Sequence, residues 1–228
     1  MNVAHFDANL DYSYFFHIIN KNGYGVDFFD KIPIVLYAKE KGRQFLFEEF
    51  ASNEVWHSHA LSDLIFKKIE PIEKYIRTEI VLSVGLDAWF CHIEPNRSKV
   101  TTAFQFFEQF DYIGAPWHSG RIGNGGFTLR KKSFMIACLK WLAQQDFFDD
   151  AFRLREGEDM WYAACLDAHI CKPNCPTFEN AVSFSQCTLK KNMPINYIKP
   201  LGFHYCYIAD EFPPEACPNH EVVCNIKF

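Results

Sequence analysis

Five short runs of the 228-residue chain carry side chains whose types and spacing suit chemistry. Asp87 follows Glu79-Ile80-Val81-Leu82-Ser83-Val84-Gly85-Leu86, and a carboxylate at the end of a buried strand stands where it can meet a ligand. Gly123-Asn124-Gly125-Gly126 concentrates glycines that regular helix or packed strand would not choose, because glycine loses more backbone freedom on folding than any other residue. Something must come close to that backbone. Just ahead, Ala115-Pro116-Trp117-His118 joins a Pro-set turn to a large aromatic and an imidazole, a surface able to stack on a flat or ring-shaped ligand. Glu158-Asp159 opens an apolar helical run, and Gly202-Phe203-His204 places an imidazole near the chain's end. Each run also has a plain structural reading. Asp87 suits a turn, the helix dipole favours Glu158 and Asp159 with no chemistry attached, and Trp117 and His204 could belong to a core.

The elements that must position these residues alternate between strand and helix. Ile34-Val35-Leu36-Tyr37 and Glu79 to Val84 read as core strands, and Gly126 to Arg130 as a strand leaving the glycine turn. Residues 43–50 and 59–77 read as helices, the second carrying Leu61, Leu64, Ile65 and Ile69 at helical spacing until Pro71 interrupts it. Ser98 can cap a helix over about 99–109 with Val100, Phe104 and Phe107 on one face. Phe134, Cys138, Trp141 and Leu142 form the apolar stripe of another, and Met160 to Leu166 continues the acid-led helix. Ala181 to Phe184 reads as a short strand. The role of residues 1–30 is not readable. Strands interleaved with helices predict an α/β sandwich with a mainly parallel central sheet.

Composition narrows the function classes. Hydrophobic residues are 49% and aromatics 17%, enough for a dense core rather than a disordered chain, and the length suits one domain over 1–228. A formal charge of −5 offers no broad basic face, which argues against nucleic acid and acidic membranes and for a small partner. No basic leader precedes a long apolar run, and Ile80 to Phe90 is too short to span a bilayer, so a cytoplasmic protein with no membrane span is expected. The nine cysteines, odd in number and set mostly among apolar neighbours, read as buried free thiols. A zinc site from His169, Cys171, Cys175 and Cys187 is the weaker alternative, lacking a second matching pair.

Taken in order, these runs resemble the nucleotide-sugar glycosyltransferases of the GT-A fold. They are most similar to a glycosyltransferase-like domain family with Tyr-Ile-Gly-Ala-Pro-Trp, Gly-Asn-Gly-Gly-Phe, Glu-Asp and Gly-Phe-His motifs, here Tyr112 to Trp117, Gly123 to Phe127, Glu158-Asp159 and Gly202 to His204. The resemblance covers about residues 79–204. It implies a single-domain GT-A-like enzyme moving a sugar from a nucleotide-diphosphate donor to a glycan or other hydroxyl acceptor, with inversion, the fold's habits favouring a uridine donor. It also implies a divalent cation on the donor diphosphate, with Asp87 and His204 as its ligands. An Asp/His donor set favours manganese over magnesium, which prefers all-oxygen shells. Where the family has two acids flanking one residue, this chain has only the last, in Gly85-Leu86-Asp87. Asp159 is the expected base, with Glu158 orienting it or binding acceptor hydroxyls. Gly123, Asn124, Gly125 and Gly126 would admit the sugars, Trp117 and His118 would wall them, and Arg121 or Arg130 would offset phosphate charge. The rival readings are a catalytically degenerate nucleotide-sugar- or glycan-binding module and, behind it, a metal-dependent hydrolase.

Overall fold

The computed structural model describes residues 15–20, 44–49, 65–76, 78–84, 88–90, 104–117, 119–170, 174–187 and 200–204. The chain divides into two compact units, one of residues 1–56 and 94–101, the other of residues 57–93 and 102–228.

In the first unit, β1 (Phe15–Asn20) and β2 (Gln44–Glu49) pair in parallel, with Phe16 opposite Phe45 and Ile18 opposite Phe47. Gln44–Glu49, within the helix expected over 43–50, is thus strand. Phe45 and Phe47 alternate with their neighbours at period two, and aromatic residues favour extended backbone. The expected strand Ile34 to Tyr37 lies outside the described residues.

The second unit is mixed α/β. Helix α1 (Ile69–Tyr75) begins after Lys68, and Pro71 falls inside its first turn. Proline is tolerated there because the amides of the first turn have no intrahelical acceptor, so Pro71 does not end the helix as its sequence context implied. Strand β3 (Ile80–Val84) runs antiparallel to β6 (Ile122–Lys131), which is antiparallel in turn to β5 (Tyr112–Pro116). Beside them, β4 (Ala88–Phe90) pairs antiparallel with β8 (Gly202–His204), and β8 pairs in parallel with β7 (Ser185–Cys187). The described sheets of this unit are therefore mainly antiparallel, against the parallel arrangement expected. Only the segment 117–121 joins β5 to β6, closed where the Trp117 N–H donates to the Arg121 carbonyl at 2.8 Å and the Gly120 N–H to the Trp117 carbonyl at 2.9 Å. A link that short makes a hairpin, whereas parallel neighbours need a crossover of about a dozen residues.

Helix α2 (Lys132–Leu142) follows β6 directly and buries Phe134, Met135, Cys138, Leu139 and Leu142. After α3 (Asp150–Arg155), capped by the Asp149 side chain, α4 (Glu158–Asp167) buries Trp161, Tyr162, Cys165 and Leu166 against the same core. Ala181 to Phe184 lies in a helix, α5 (Phe178–Phe184), and not in a strand. Thr177 and Asn180 form a reciprocal capping box at its start, and that local pairing outweighs the β-branched Val182.

Cys138 and Cys165 are buried free thiols as expected and Cys187 is buried outside any disulfide, but Cys175 is disulfide-bonded and so is not a zinc ligand. His169, also named for that zinc site, is exposed. Among the described residues no helix is long and apolar enough to cross a membrane.

Candidate active site

The glycine run is part of β6 itself. Gly114 pairs with Thr128, but the next residue, Ala115, pairs with Asn124, so Gly125, Gly126 and Phe127 bulge away from β5. Such irregularities re-aim a strand and recur beside active sites. Asn124, almost fully buried, braces the bulge by accepting the Gly126 N–H on Oδ1 at 3.1 Å. A deeper brace is Tyr112, whose hydroxyl donates to the Gly123 carbonyl at 2.7 Å. Burial pushes the Tyr112 phenol well above its ordinary pKa, against the pull of the Arg130 charge, so it remains a donor.

What comes close to the glycine backbone is protein. A Cβ on Gly126 would collide with the His204 ring, carried on β8. A Cβ on Gly125 would stand 3.0 Å from Glu158 Oε1, 3.1 Å from Asp159 Cβ and 3.4 Å from Arg130 Nη2. On Gly123 it would meet Trp117 ring carbons at 3.2 Å and the Ala163 methyl at 2.9 Å. The bulge thereby gathers Trp117, Asp159 and His204 onto successive parts of one strand.

Asp159 is the second residue of α4 and is half-buried. Its Oδ2 accepts the Gly125 N–H at 3.3 Å and its Oδ1 the Met160 N–H at 2.8 Å, a carboxylate held by two backbone donors. Glu158, one residue earlier, points into the core. Its two oxygens take Arg130 Nη1 at 2.7 Å and Nη2 at 2.9 Å, a bidentate pair in which both side chains are buried. Arg130 Nε donates to Thr128 Oγ1 at 2.8 Å, and its guanidinium carbon lies 4.3 Å from the Phe66 ring centre, 5.2 Å from Tyr112 and 5.6 Å from Tyr162. Burial alone would push this guanidinium down, yet the Glu158 carboxylate holds it above the usual arginine range.

Arg121, in the turn before β6, reaches across to α4: its Nε donates to Asp167 at 2.8 Å, and its Nη1 lies 3.9 Å from the sulfur of Met160, the residue after Asp159. Asp87 and His118 lie outside the described residues. Ala88, which follows Asp87 in the chain, is the ladder partner of His204. Among the described residues no three His, Cys, Asp or Glu side chains cluster as a metal site.

Sequence reasoning did not anticipate the partners of Arg130: Glu158, Thr128 and the ring set Phe66, Tyr112 and Tyr162. The available signal was Arg130 at period two with Thr128 in an otherwise apolar strand, a position that demands a buried counter-charge.

A family model covers residues 44–204, and that span contains all four motifs. The chain belongs to the family described as protein of unknown function, DUF5672. No curated protein matches the sequence. Among solved structures, this family member is similar to the crystal structure of a glycosyltransferase involved in the glycosylation of the major capsid of PBCV-1, with 14% identity, a TM-score of 0.38, and 91% of this chain and 98% of that one covered.

Proposed function

We propose that the chain is a glycosyltransferase that moves a sugar from a nucleotide-diphosphate donor, uridine diphosphate favoured, to an acceptor hydroxyl with inversion at the anomeric carbon. The observation that carries this reading is the β6 bulge, where adjacent glycines bear an oriented carboxylate and an imidazole: Asp159 on the Gly125 N–H and His204 against Gly126. The motif resemblance supplies the reaction class, and the bulge gives its residues a common location.

In this reading Asp159 is the base. It takes the proton of the acceptor hydroxyl while that oxygen bonds to the anomeric carbon and the bond from that carbon to the donor diphosphate breaks. The hydrogen bonds from Gly125 and Met160 keep the carboxylate from turning away as it receives the proton. Trp117, packed on Gly123, offers a ring face to a sugar. His204 and Asp87 would hold a divalent cation, manganese rather than magnesium for a mixed nitrogen and oxygen donor set. Asp87 immediately precedes Ala88, the strand partner of His204. When bound, such a cation stabilises the negative charge that develops on the departing diphosphate. Arg121 is a candidate for the phosphates, steadied by Asp167.

The test is Asp159→Asn, assayed with nucleotide sugars and manganese. Turnover should fall about 100-fold or more, as loss of a general base does, while the donor's stabilising thermal shift persists. A donor that raises the melting temperature of the wild type with no turnover would instead identify a binding module. The absence of any donor-dependent shift would sink the proposal.

A further inference from the structure

Helix α4 starts without the usual device. Its N-cap is Gly157, which has no side chain to accept the first orphan amides. Besides the Met160 N–H bond to Asp159, what ties its first turn to the sheet is the carboxylate of Glu158, gripped from the neighbouring strand by Arg130. We infer that Arg130 and Glu158 form a positioning pair that sets the direction of Asp159, and that neither contacts substrate; the inference rests on the proposed function only in calling Asp159 the base.

Three observations carry it. The guanidinium is fully buried, and Glu158, Thr128 and three aromatic rings surround it, so its charge is matched inside the protein. The pair spans from β6 to α4 beside Gly125, where the Cβ that Gly125 lacks would meet both Glu158 Oε1 and Arg130 Nη2. The same glycine donates its N–H to Asp159. A shift of the helix start would therefore be felt first in the bond between Gly125 and Asp159. A buried ion pair is in general a poor source of stability, since well-packed apolar residues often replace it at no loss. A pair that adds little stability is then best explained by the geometry it imposes, here a carboxylate aimed within the small tolerance that proton transfer allows.

The experiment replaces both members together, Arg130→Met with Glu158→Met, leaving no lone charge in the core. Melting temperature, steady-state kinetics with a nucleotide sugar, and hydrogen exchange at the Gly125 amide are read on the full chain. We expect a melting temperature within a few degrees of wild type, kcat lower by about 100-fold with the donor KM within about twofold, and faster exchange at Gly125 but not at Leu129 in the same strand. Unchanged kcat or unchanged Gly125 exchange in the folded variant would overturn the inference. Should the double variant not fold, Arg130→Lys, which keeps the charge and removes the bidentate fork, is read by the same Gly125 exchange and with the same two outcomes. The exchange arm needs no substrate, so a wild type without glycosyl transfer would refute the proposed function and still decide whether the pair orients Asp159.

Discussion

At the scale of single residues, the site depends on what is missing from Gly126. The His204 ring occupies the space that a side chain would take, so Gly126→Ala must push the imidazole or the strand aside. We predict a loss of about 1–3 kcal/mol, the usual cost of overpacking, measured by urea unfolding, together with loss of any manganese-dependent thermal shift. Gly125→Ala is the milder change, because its neighbours stand at 3.0 Å or beyond. The opposite logic holds at Arg130. There a large cation fills the core, made tolerable by two carboxylate oxygens, one threonine hydroxyl and the faces of aromatic rings.

At the scale of elements, the short connections decide the architecture. Helix α5 has a complete capping box, so Thr177→Ala should cost about 1 kcal/mol in thermal or urea unfolding without altering donor binding, since the helix carries none of the candidate site residues. Thr177 and Asn180 make that box just ahead of Ala181 to Phe184, a window that alone suggested a strand. Local hydrogen bonding outweighed the propensity of a four-residue window. Strand β3, helix α2 and helix α4 were legible because their periodicity is strong: Phe134, Cys138 and Leu142 recur at four-residue spacing, and acids lead α4. Sheet direction was not legible, because alternating strands and helices say nothing of a hairpin as tight as 117–121. The glycine run was expected as a turn open to a ligand, whereas it lies within β6 and protein side chains approach it. That its visitors are His204, Glu158 and Asp159 could not be read, because contacts between residues 126 and 204 leave no trace in local spacing.

At the scale of the molecule, stability should fall at high pH for a specific reason. Burial raises the phenols of both Tyr112 and Tyr162 well above the ordinary value of about 10, helped at Tyr162 by the Glu158 charge. Below about pH 10 both are protonated in the folded and unfolded chain, and their stabilising contribution is complete. As the pH rises past the unfolded value, the unfolded chain releases these protons first, and stability declines until the folded values are reached. Urea midpoints measured from pH 9 to 11.5 should therefore drop, and Tyr112→Phe, which keeps the ring, should flatten the slope at the cost of the bond to the Gly123 carbonyl.

The enclosed pair of Arg130 and Glu158 also has a consequence for descent. A change at either position alone strands a charge in the core, with a penalty of about 3–5 kcal/mol, comparable to the whole margin by which many domains stay folded. Exchange of both leaves no such charge. Intermediate sequences would thus be purged, and across a lineage the two positions should be found either both retained or both replaced, a correlated pair separated by 28 residues of chain.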